Sequence, residues 1–78
     1  MKEFISLNNV KNVRFFYTSS NIMLEICYFN KEYSVTFEYH LVNINQDSKD
    51  FIIGQYEEAY LKIKNALTNK EDFVEIEL

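Results

Sequence analysis

Alternation with a period of two restricts this chain more than any other feature. Residues 33–42 place Tyr33, Val35, Phe37, Tyr39 and Leu41 on one side and Ser34, Thr36, Glu38, His40 and Val42 on the other. Such a pattern marks a strand with one buried face. Residues 22–29 follow a similar rule, with Ile22, Leu24, Ile26 and Tyr28 on one face and Met23, Glu25, Cys27 and Phe29 on the other. Asn30-Lys31 lies between them, and asparagine tolerates the positive φ of a tight hairpin. A two-residue bend there pairs Tyr28 with Tyr33, Ile26 with Val35, Leu24 with Phe37 and Ile22 with Tyr39. Every apolar residue then meets an apolar one, and a slip of one residue in either strand would send the set to the wrong face.

Residues 13–18 extend the sheet. A turn at Ser19-Ser20 pairs Tyr17 with Ile22, Phe15 with Leu24 and Val13 with Ile26. On the reverse face it pairs Phe16 with Met23, and Arg14 with Glu25, which are opposite charges across neighbouring strands. Near residue 49 the period changes to that of a helix. Ile52, Tyr56, Ala59, Tyr60, Ile63, Ala66 and Leu67 form a stripe over 49–68. Asp47, Ser48 or Asp50 is suited to cap its start. Glu58 and Lys62 make an i,i+4 pair, and Asn69 is suited to a left-handed stop.

The tail, Val74-Glu75-Ile76-Glu77-Leu78, alternates again and reads as a last strand. A helical crossover predicts that it runs parallel to the third strand, either beside that strand or reaching across to the first, residues 13–18, and we favour the latter. The opening seven residues, with Phe4, Ile5 and Leu7, make either a short edge strand or a turn of helix. The expected fold is α+β: one domain over residues 1–78, a small two-layer β-β-β-α-β arrangement with the helix on one sheet face. Apolar residues make up 47% and aromatics 17%, well above the composition of a disordered chain. A chain of this length buries only about 60–65% of the surface its unfolded form exposes, which leaves little room for a large pocket beside the core.

The sequence offers little for catalysis. A thiol nucleophile needs a base within hydrogen-bond reach, and the candidates are the single cysteine, Cys27, and the single histidine, His40. The two-residue bend puts Cys27 opposite Ser34 and leaves His40 six residues further on, roughly 20 Å away on the same face. One histidine and one cysteine do not make a zinc set. Asp47 and Asp50 lack the spacing of a calcium loop. A phosphate loop needs several glycines, whereas Gly54 is alone. Near a helix start this glycine costs up to about 1 kcal/mol relative to alanine, and close packing of the helix on an aromatic would account for it. Glu57 and Glu58 point apart on a helix. Glu75 and Glu77 share a strand face and read as a solvated edge that discourages aggregation. No enzyme and no cofactor are expected.

The formal net charge is −4 and the isoelectric point about 4.8. That disfavours direct contact with nucleic acid, whose binding depends on neutralised phosphates, and contact with anionic membranes. It suits a protein partner with a basic surface, or solubility alone. No stretch approaches a membrane span, and a lone cysteine allows no internal disulfide. The expected location is the cytoplasm.

One surface asks for an explanation. The sheet face away from the helix is expected to carry Phe16, Met23, Cys27 and Phe29, ringed by Arg14, Glu25, Glu32 and Glu38. With the last strand beside the first, Phe73, Glu75 and Glu77 extend it. Monomers seldom expose contiguous apolar patches without a use, and aromatics and methionine are enriched at interfaces. The expected partner-binding residues are therefore Phe16, Met23, Glu25, Phe29, Glu38, Glu75 and Glu77. The expected function is protein binding, as an inhibitor or adaptor that occludes a basic, nucleic-acid-handling surface of its partner. The alternatives are a homodimeric structural or regulatory domain, or a toxin-neutralising immunity protein. In size, charge and composition the chain resembles small phage-encoded or mobile-element inhibitors, anti-CRISPR proteins among them. That resemblance implies action by occupation and assigns no residue a role.

Overall fold

Six elements follow one another in a computed structural model that describes residues 2–29, 35–43 and 48–78, with the side chains of 35–40 and 43 outside the description. They are β1 (Lys2–Ser6), β2 (Val10–Tyr17), β3 (Asn21–Phe29), β4 (Val35–Asn43), α1 (Lys49–Thr68) and β5 (Phe73–Glu77). The strands form two antiparallel sheets, β2-β3-β4 and β1-β5. This is the α+β order expected, preceded by one more strand.

The β2–β3 hairpin adopts the expected register. Tyr17 faces Ile22, Phe16 faces Met23, Phe15 faces Leu24, Arg14 faces Glu25 and Val13 faces Ile26. Its turn is held by Thr18, whose N–H donates to the Asn21 carbonyl at 2.8 Å and whose Oγ1 accepts from the Asn21 N–H at 3.1 Å. Local side-chain bonds of this kind are how threonine stabilises turns. β2 begins at Val10 and carries an irregularity between Val10 and Asn12, a bulge that shifts the ladder by one residue.

The β3–β4 register differs from the expectation by three residues. Ile22 pairs with Val42, Leu24 with His40, Ile26 with Glu38, Cys27 with Phe37 and Phe29 with Val35. This register is incompatible with the two-residue bend; residues 30–34, with the expected pairing through Tyr33, lie outside the described residues. An odd shift inverts the faces. Leu24 and position 37 consequently lie on opposite sides of the sheet. The cause is the reach of the helix: α1 lies over β2, β5 and, less extensively, β3, and β4 is outside that footprint. Nothing therefore compels the apolar row of β4 to turn toward the helix.

β5 also departs from the expectation. It pairs antiparallel with β1, Phe4 opposite Glu75 and Ile5 opposite Val74, and not with the residues 13–18 strand or parallel to β4. The handedness rule for crossovers governs strands of one sheet, and β5 belongs to a second sheet. The ambiguous N-terminal segment is its partner. The ladder continues past β1 through a 2.9 Å bond from the Leu7 N–H to the Asp72 carbonyl.

One core joins the two sheets through the helix. Ile5, Leu7 and Ile76 meet Val13, Ile22, Leu24 and Ile26 around Tyr56, Ala59, Ile63 and Ala66. Ile52, Tyr60 and Leu67, the remaining stripe residues, are half-buried against the same cluster. Each buried Leu or Ile contributes on the order of 1.5–3 kcal/mol. Because a single helix serves two sheets, the molecule is elongated, 42 × 23 × 19 Å.

The helix spans its expected range with Ser48 at the N-cap position, but Ser48 makes no side-chain capping bond; Asp50 lies within the first turn, and Asp47, also considered, lies outside the described residues. Its end differs. Asn69 keeps φ at −84°, and the left-handed residue is Lys70 at φ 56°. The Glu71 N–H bonds to the Ala66 carbonyl at 3.0 Å and the Lys70 N–H to that of Leu67 at 3.2 Å. That pair of bonds is a Schellman stop, displaced one residue from the asparagine. Gly54 is exposed, and a Cβ placed on it would meet no atom within 4 Å. The expected close packing on an aromatic is therefore not its reason.

Candidate functional site

The face of β2-β3-β4 turned away from α1 is assembled from alternate residues of three strands. β2 contributes Asn12, Arg14 and Phe16, and β3 contributes Met23, Glu25, Cys27 and Phe29. The observed register adds positions 35, 37, 39 and 41 of β4, occupied by Val, Phe, Tyr and Leu. The apolar row that was expected under the helix thus shares a face with Phe16 and Phe29. Phe16, Phe29 and Leu41 are 41%, 51% and 53% exposed, and Met23 is half-buried.

The charges on this face are few and matched. Arg14 stands 3.3 Å from Glu25 and stacks over Phe16 at 5.7 Å, while Lys11 lies over Phe29 at 5.1 Å. Cation–π contacts of this geometry anchor an aromatic ring and keep the cation over it. Lys11 was not foreseen, because a bulge re-aims side chains without leaving a mark in the alternation.

Three expected members lie elsewhere. Glu38 is paired with Ile26, a residue of the helix-side face, so its register position is on the opposite side; its side chain lies outside the described residues, as does Glu32 altogether. Glu75 and Glu77 belong to the β1–β5 sheet. Glu75 is opposite Phe4 and 3.7 Å from Lys2, and Glu77 is opposite Lys2. Phe73 packs against Phe4 there, ring centroids 6.2 Å apart, both rings exposed. The four remaining members, Phe16, Met23, Glu25 and Phe29, are brought together, and the surface they form is apolar and nearly neutral rather than acidic.

Cys27 sits at the centre of this face and is only 6% exposed. Burial pushes its thiol above the ordinary range, and the neighbouring Glu25 carboxylate, 3.7 Å from Sγ, pushes it the same way. Position 40 is opposite Leu24, on the other side of the sheet, and position 37 is Cys27's partner. The separation of cysteine and histidine positions is therefore across the sheet, not 20 Å along one face as expected. Tyr56, in the core, is likewise raised by burial and secondarily by Glu3. Among the described residues no group of three or more His, Cys, Asp or Glu side chains is placed to hold a metal ion, and no helix is long and apolar enough to cross a membrane.

A second feature was not anticipated. A depression of about 590 Å³ lies between the first turns of α1 and the end of β5, lined by Asp50, Phe51, Gly54, Glu58, Lys62 and Glu77. Gly54 opens it, and Lys62 is drawn to Glu58 at 3.9 Å. Its carboxylates outnumber its cations, which makes it an acidic feature among the described residues. Comparison of the chain with protein-family models, with curated proteins and with solved structures finds no match.

Proposed function

We propose that this chain is a non-enzymatic protein-binding module whose docking surface is the outer face of β2-β3-β4. The observation that carries the reading is the row of exposed Phe16, half-buried Met23 and exposed Leu41, neighbours across three strands, with exposed Phe29 further along β3, on a sheet face over which no element of the chain packs among the described residues. A small domain gains nothing from holding such side chains in water, and patches of this kind are used for docking. The test is affinity capture from lysate of the source cell with wild-type and Phe16→Glu baits, every captured protein being re-examined as a purified pair. The reading requires a protein whose binding drops at least tenfold with Phe16→Glu while the bait stays folded by circular dichroism. Binding that is indifferent to Phe16→Glu and Leu41→Glu alike rejects it.

The narrower reading is an inhibitor or adaptor that covers a basic, nucleic-acid-handling surface. Its support is the net charge of −4 and the grouping of Asp50, Glu58 and Glu77 around the depression beside exposed Phe51. On this reading the basic partner is steered to the helix and β5 side, away from the apolar sheet face. Glu77→Lys combined with Glu58→Lys should then lower the association rate and flatten its dependence on salt.

A further inference from the structure

We propose that the outer face of β2-β3-β4 is closed by a second copy of the same chain, packed face to face about a two-fold axis. The inference rests on the docking role just proposed for that face and names its occupant.

Charge distinguishes a second copy from other occupants. The chain carries twelve acidic residues, yet among the described residues Glu25 is the one carboxylate at an outer-face position, and it is paired with Arg14. Glu3, Asp50, Glu57, Glu58, Glu71, Asp72, Glu75 and Glu77 belong to β1, to α1, to β5 and to the turn between the last two. Two copies of a chain with net charge −4 repel, and like charges brought together across an interface cost several kcal/mol. Their outer sheet faces are where they can meet without juxtaposing carboxylates. The Arg14–Glu25 pair is also self-complementary: under a two-fold axis the arginine of one copy can meet the glutamate of the other, as an isologous contact requires.

Size sets the strength. Three strands about 4.8 Å apart, each about nine residues long, outline a footprint of roughly 14 × 30 Å. Two such faces remove on the order of 800–1,200 Å² of total surface, near the lower limit of specific interfaces. A dimer of this kind is in exchange with monomer and has a dissociation constant in the micromolar range. Sheets stack about 10 Å apart with strands within about 30° of alignment, and the exposed Phe16, Phe29 and Leu41 would fill that layer.

The experiment is sedimentation equilibrium on the full chain from low micromolar to near-millimolar concentration, for wild type, Phe16→Glu, Leu41→Glu and Phe73→Glu. Phe16 and Leu41 stand on β2 and β4, so the two variants probe both margins of the face. Phe73 is exposed on the other sheet and serves as the control. Expected is a monomer–dimer equilibrium for wild type and Phe73→Glu, and a loss of at least tenfold in association for each of the other two. A wild type monomeric throughout overturns the inference, as does a dimer indifferent to both Phe16→Glu and Leu41→Glu, or one dispersed by Phe73→Glu. A monomeric wild type that still binds a different purified protein through Phe16 overturns the second-copy inference alone. Indifference of self-association and partner binding to both sheet-face variants removes the docking role as well.

Discussion

Cys27 and Phe37 are direct cross-strand partners, side by side on the sheet face away from the helix. Opposed Cβ atoms of antiparallel strands lie about 4.5–5.5 Å apart, a small adjustment from the roughly 3.5–4.5 Å of a disulfide. Phe37→Cys should therefore form an intrachain disulfide with the native Cys27 under mild oxidation, read as loss of both thiols in monomeric protein on intact-mass analysis. Ser34→Cys, at the position that the two-residue bend would set opposite Cys27, should stay reduced. The reverse outcome would restore the two-residue bend.

Lys70 holds a left-handed conformation at φ 56° so that the helix can stop. For a residue with a Cβ this geometry costs on the order of 1 kcal/mol. Lys70→Gly should raise the unfolding free energy by about that amount, some 4–8 °C in midpoint for a domain of this size. Lys70→Ala should leave it almost unchanged, and chemical denaturation of the three proteins decides the matter.

Gly54 stands in the second turn of α1 with open space where its Cβ would be. Gly54→Ala should stabilise by about 0.5–1 kcal/mol through helix propensity alone. The methyl group also enters the depression beside Phe51. A variant that is more stable yet binds a basic partner less well would show that the glycine is kept for the concavity.

Alkaline stability follows from two protonated groups. Cys27 and Tyr56 both have folded-state pKa values above their ordinary positions, chiefly because burial disfavours the anion. A raised pKa means that the folded chain holds its proton more tightly than the unfolded chain. The contribution is complete below the unfolded-state pKa and is lost as pH rises through the folded one. Stability should thus be level up to the usual thiol range, fall above it, and fall again beyond the usual phenol range. Cys27→Ala should remove the first decline and leave the second, as read from urea midpoints across pH.

Sequence reading recovered α1 because a stripe of seven side chains over 20 positions overdetermines a period of 3.6. It recovered the β2–β3 ladder because the Arg14–Glu25 and Phe16–Met23 pairs agree with a short turn. It misplaced β4 because alternation defines two faces without saying which is covered. The deciding fact, that α1 reaches β2, β3 and β5, depends on where the helix lies. It missed the β1–β5 ladder for a related reason: five-residue strands at opposite ends of the chain carry no local turn that announces their union. Of the residues expected on the outer face, those on the well-determined hairpin, Phe16, Met23, Glu25 and Phe29, do share it. Those whose position depended on β4 or β5, Glu38, Glu75 and Glu77, do not.

The limited reach of α1 gives the molecule an uneven clock. Among the described residues β4 packs extensively on β3 alone, so the outermost ribbon can detach while the cluster around Ile63 stays shut. Backbone amides of β4 should trade hydrogen for deuterium well before those of β3, although both strands are nine residues long and share one ladder. A companion laid over that ribbon would slow its exchange, and the change would appear in β4 ahead of any other element.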